Sequence, residues 1–129
     1  MEISLSWRHV DQLIGLAKNS LPNESCAILI GDDDQVIEIL PMQNADASAV
    51  SFSIEPRELL RAYDLAESKK LRVLGIFHSH PSEPMPSGLD KRFMEINPVV
   101  WLIYSTTENR LKGFIHDNDV REVTIKITE

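Results

Sequence analysis

From Val73 to Asp90 the chain reads VLGIFHSHPSEPMPSGLD. The apolar run Val73–Phe77 has the length and composition of a buried strand. On a strand, residues two apart project to the same face. His78 and His80 therefore stand side by side, and Ser79 points the other way. Three prolines follow, at Pro81, Pro84 and Pro86. They cannot continue a hydrogen-bonded ladder and they stiffen a loop. Ser87, with Asp90 three residues later, has the pattern of a capping box and predicts a short helix over Gly88–Ile96. A strand, a rigid loop and a helix start are thus specified within one compact block.

The remaining chain supplies elements to surround this block. Met1–Leu5 reads as a first strand. Ser6 is an N-cap for a helix whose apolar positions are Val10, Leu13, Ile14, Ala17 and Leu21. The Leu21-Pro22-Asn23 step stops that helix. Glu24–Ile30 reads as a strand ending at Gly31 and an acidic turn, Asp32-Asp33-Asp34, and Val36–Leu40 as the returning arm of a hairpin. Gln43–Val50 is expected to be loop and Phe52–Ile54 a short strand. Pro56 suits the first position of a helix reaching about Lys70. Val99–Ser105 is a buried strand, and Leu111–His116 with Val120–Thr128 an antiparallel pair. The expectation is a single α/β domain over residues 1–129, a mixed β-sheet flanked by about three helices. Trp7 and Trp101 are expected to pack.

Charge and cysteine content narrow the setting. The 129 residues carry 13 basic and 20 acidic side chains, a net charge of −7. That balance opposes nucleic-acid binding and docking on an anionic membrane. The longest apolar run, Val99–Tyr104, is far short of the ~18 residues that suggest a membrane span. Cys26 is the only cysteine, so no disulfide forms within the chain. A reducing, cytoplasmic location is expected, and the N-terminal residues lack the pattern of a secretory signal. Cys26 itself reads as a small buried side chain.

Two neutral imidazoles held side by side are half of a typical zinc site. If the proline loop folds back, Asp90 supplies a third ligand and water the fourth, the open arrangement of a catalytic zinc. Each feature alone also has a plain structural explanation. A His-x-His pair can be surface or satisfied core, Ser87 and Asp90 can simply cap a helix, and Glu24 can be a charge at a strand edge.

The ordered set His78-Ser79-His80-Pro81 and Ser87-Gly88-Leu89-Asp90 resembles the JAMM motif of the MPN+ (JAB) metallopeptidases. The stretch Leu21–Gly31, with Glu24, is similar to the upstream glutamate segment of that family. Phe52-Ser53-Ile54 before a helix is similar as well. Ala27 departs from the family, where glycine is common. The resemblance implies the JAB1/MPN fold, related to the cytidine deaminase-like architecture. It implies Zn2+ bound by His78, His80 and Asp90, with Glu24 as general acid/base and Ser87 stabilising an oxyanion. It further implies substrates that are ubiquitin-like or sulfur-carrier proteins with a C-terminal Gly-Gly. A tail of that kind is expected to lie along an exposed strand edge, with Met85 as a weak candidate for contact. Two other functions share parts of the pattern: a non-catalytic MPN scaffold, and a RadC-type protein linked to DNA repair. A true deaminase is disfavoured, because no Pro-Cys-x-x-Cys follows the histidines. The particular substrate and the oligomeric state are not specified by the residues.

Overall fold

The structure, a computed structural model, describes residues 1–129. Its elements run β1 (Glu2–Ser6), α1 (Trp7–Ser20), β2 (Cys26–Asp32), β3 (Gln35–Met42), α2 (Pro56–Ser68), β4 (Arg72–His80), α3 (Gly88–Ile96), β5 (Val100–Ser105), β6 (Arg110–Asp117) and β7 (Asp119–Thr128). The strands are ordered β1-β3-β2-β4-β5-β6-β7, and the sheet closes on itself as a barrel. Closure joins the two ends of the chain: β1 pairs in parallel with β7 from Glu2↔Thr124 to Ser6↔Thr128. On its other side β1 meets β3 only at Ser4↔Gln35. The β1–β3 and β4–β5 pairs are also parallel, the latter crossed over by α3, and the other four pairings are antiparallel.

Strands β2 and β5 are buried along nearly their whole length, as is the second half of β4. Helices cover both faces of this part of the sheet, which is why these segments read as continuous apolar runs. The alternation sorts them. Ala27, Leu29 and Phe77 pack with Val10, Leu13 and Ala17 of α1. Cys26, Ile28, Ile30, Ile76 and Trp101 pack with Ala62 and Ala66 of α2 and Met94 of α3. Each fully buried Leu or Ile contributes about 1.5–3 kcal/mol. Gly75 is required where β4 meets β5, since a Cβ there would lie 2.6 Å from the Val100 carbonyl oxygen. The acidic turn is the hairpin tip of β2 and β3, with Asp33 in the left-handed region at φ 51°.

Four expectations need correction. Phe52–Ile54 is not a strand: it runs as unpaired chain, and Phe52 is buried against the α2/α3 side of the sheet. Glu24 and Ser25 precede β2 rather than beginning it. Trp7 opens α1 on the solvent side and is 57% exposed, unlike the buried Trp101. The strands that carry the histidine pair and its neighbours offer no free edge, because β2, β4 and β5 are each paired on both sides. No helix is long and apolar enough to cross a membrane.

Candidate metal centre and its surroundings

His78 and His80 end β4 on the α2/α3 side of the sheet, and both are buried. Their Nε2 atoms lie 2.8 Å apart. The Pro81–Pro86 loop turns the chain back so that Asp90, in the first turn of α3, faces them. Asp90 Oδ2 is 3.1 Å from Nε2 of His78 and 3.1 Å from Nε2 of His80. The capping box is present in full. Ser87 N–H donates to Asp90 Oδ2 at 2.8 Å, and Asp90 N–H donates to Ser87 Oγ at 3.1 Å. The cap that starts the helix is therefore also what aims the carboxylate.

These three atoms suit a small cation. Ligands about 2.0–2.1 Å from a tetrahedral zinc lie roughly 3.3 Å from each other, close to the observed spacing. His80 Nδ1 is 3.3 Å from the Glu83 carbonyl oxygen. A carbonyl only accepts, so Nδ1 carries a proton, and Nε2 is the atom that would lend its lone pair to a metal once it is deprotonated. His78 is oriented by packing instead. Phe52 stacks on its ring, with centroids 4.5 Å apart and planes 21° from parallel, and Trp101 meets it edge-on. Its Nδ1 has no hydrogen-bond partner.

Glu24 reaches the same place from the other side. One ligand atom each of Glu24, His78 and His80 all lie within 4.8 Å of one another. The two carboxylates differ in character. Burial pushes the Glu24 carboxyl up to about 7; attraction to His80 opposes this, and repulsion from Asp90 and Asp46 adds to it. Burial acts on Asp90 in the same upward direction. Hydrogen bonds from His78 and His80, the histidine charge and the Ser87 amide outweigh it, and hold that carboxyl well below the usual range. One carboxylate is thus ready to exchange a proton near neutrality and the other stays anionic.

All five residues singled out in the sequence fall in this region. Ser87 stands at the exposed mouth beside Asp90. Met85 is 42% exposed in the proline loop. Cys26 is buried, its thiol faces the Met42 carbonyl, and burial pushes it up to about 12, which leaves it inert. Phe52 and Asn44 were not anticipated as part of the site. An asparagine in a polar loop signals a turn, but nothing local indicates which backbone its side chain will reach.

A barrel of this topology, with two histidines at the end of one strand answered by a capping aspartate, defines a JAMM-type hydrolase. The family model for prokaryotic homologs of the JAB domain matches residues 6–123, and the chain belongs to that family. Among curated relatives, the chain is 37% identical over 107 residues to a desampylase of Pyrococcus furiosus, a match spanning 81% of this chain and 76% of the relative. It is 25% identical over 127 residues to the CysO-cysteine peptidase of Mycobacterium tuberculosis, spanning 93% and 87%. The fold is shared with the JAB1/MPN domain protein AF2198 of Archaeoglobus fulgidus, with a TM-score of 0.68, 21% identity, and 99% and 98% of the two chains covered.

Proposed function

We propose that the protein is a zinc-dependent isopeptidase that hydrolyses the bond following the C-terminal Gly-Gly of a ubiquitin-like or sulfur-carrier protein. His78, His80 and Asp90 would hold the zinc. The single observation that carries this assignment is the convergence of two Nε2 atoms and Asp90 Oδ2 at 2.8–3.1 Å. The similarity to a desampylase and to a CysO-cysteine peptidase supports the substrate class.

When bound, the ion polarises the scissile carbonyl and lowers the pKa of water to about 7. Glu24 accepts the proton of the attacking water and delivers it to the leaving amine, work that suits a carboxyl raised to about 7. Ser87 Oγ accepts the Asp90 amide, so the hydroxyl keeps its own proton for the developing oxyanion. Glycines in the substrate tail allow close approach of its backbone to a crowded site.

The test is cleavage of a ubiquitin-like or sulfur-carrier protein fused through Gly-Gly to a reporter, with and without a chelator, alongside elemental analysis. One zinc per chain, loss of cleavage with chelator and restoration by zinc are expected. Protein that takes up no zinc, or a Glu24→Gln variant that binds zinc and cleaves at the full rate, overturns the assignment.

A further inference from the structure

Glu24 lies before β2, so no strand ladder fixes it from the β3 side. Its backbone is held there by the loop that follows β3. Glu24 N–H donates to the Ser48 carbonyl at 2.8 Å. The Glu24 carbonyl accepts from Asn44 Nδ2 at 3.0 Å. The same Nδ2 faces the carbonyls of Ser51 at 3.0 Å and Ser48 at 3.4 Å. Asn44 Oδ1 accepts from the amides of Asp46 at 3.0 Å and Ser53 at 3.3 Å. One half-buried carboxamide therefore fastens the loop to itself and to Glu24.

Only a group that donates on one side and accepts on the other fits this position. An aspartate would turn an acceptor oxygen toward three carbonyls, and an alanine would leave them without a donor. Ser53, bonded to Asn44, follows Phe52, whose ring backs His78. The loop thus touches both sides of the centre from one anchoring side chain.

We propose that Asn44 is a positioning residue for Glu24: by binding the Glu24 carbonyl and shaping the loop that receives the Glu24 amide, it sets where the carboxylate stands relative to His78 and His80. This rests on the role given to Glu24 above. Misplacement of a reacting group by an ångström costs on the order of 100-fold in rate.

Asn44→Asp and Asn44→Ala are compared with wild type in zinc content, in kcat and KM on the Gly-Gly fusion, and in the 13C resonance of the Glu24 carboxyl in metal-free protein. The expected result is a kcat lower by about 10–100-fold with KM within about twofold. One zinc per chain is retained, and the Glu24 resonance is displaced. In a Glu24→Gln background, Asn44→Asp is expected to cause no further loss. An unchanged kcat, or an equal loss in both backgrounds, overturns the proposal while leaving the function intact. Full activity of Glu24→Gln alone overturns the function instead. If both Asn44 variants unfold, exchange of the Asn44 side-chain amide in wild type decides: slow exchange supports the anchor, and exchange at the rate of a free amide rejects it.

Discussion

Ser79 Oγ accepts the Ser25 amide at 2.9 Å and lies 3.0 Å from Ser25 Oγ, in a buried contact between residues 54 apart in sequence. Ser79 N–H in turn donates to the Ser25 carbonyl at 3.1 Å. The residue between the two histidines is therefore bonded to the residue next to Glu24. Two parts of the centre that are distant in sequence are joined through side chains that point away from it.

Ser79→Ala removes an acceptor from a buried amide. Leaving such a group unsatisfied costs about 1–3 kcal/mol. Denaturant unfolding of the variant is expected to show a lower midpoint at unchanged m-value, with a fall in turnover. An unaltered midpoint would mean that the serine pair is incidental.

Ser87 caps α3 and, in the proposed mechanism, donates to the oxyanion, and two substitutions separate these tasks. As an N-cap, glycine costs only a few tenths of a kcal/mol relative to serine, whereas alanine costs about 1 kcal/mol. Both lack the hydroxyl, and losing an oxyanion donor costs about 10²–10³ in rate. Ser87→Gly is thus expected to melt close to wild type and still be impaired by that factor. A Ser87→Gly enzyme with wild-type kcat would remove Ser87 from the chemistry.

Metal-free protein should be sensitive to pH through Glu24. Its folded-state carboxyl is near 7, against an ordinary 4.5. The folded state therefore binds this proton more tightly than the unfolded chain does. The associated stability is present below about 4.5 and is lost as pH rises through about 7. The full span is about 3 kcal/mol. Unfolding free energies of wild type and Glu24→Gln, measured without metal from pH 4.5 to 8, are expected to differ in slope, with wild type losing more on the alkaline side. Parallel curves would show that Glu24 does not titrate in this window.

Two glycines predict opposite outcomes for the same substitution. At Gly75 a Cβ would sit 2.6 Å from the Val100 carbonyl oxygen and 3.1 Å from Leu29 Cδ1. Gly75→Ala is expected to cost about 1–3 kcal/mol by forcing β4 from β5. At Gly15, inside α1, an added Cβ meets nothing within 4 Å. Gly15→Ala is expected to stabilise by up to about 1 kcal/mol through helix propensity. Thermal melts of the two variants that shift in the same direction would contradict this account.

The histidine block was legible in the sequence because each of its features is local. Strand alternation places His78 beside His80, prolines end the strand, and a capping box depends on residues three apart, so Ser87 and Asp90 are legible by spacing as a helix cap and, as site residues, through the resemblance to the JAMM motif. Helix α1 was legible for the same reason, through Ser6 and the spacing of Val10, Leu13 and Ala17. Tertiary structure decided what depends on distant partners. The barrel closes because Glu2–Ser6 finds Thr124–Thr128, more than a hundred residues away. Phe52 becomes backing for His78 rather than part of a strand because its ring is buried by stacking on the His78 imidazole and packing near Trp101. Glu24 is held by Asn44 and, through Ser25, by Ser79, not by a ladder of its own. Hydrogen bonds within a few residues leave a pattern that can be read along the chain; those formed across a loop or between sheet layers are chosen by which surfaces the folded chain brings within reach.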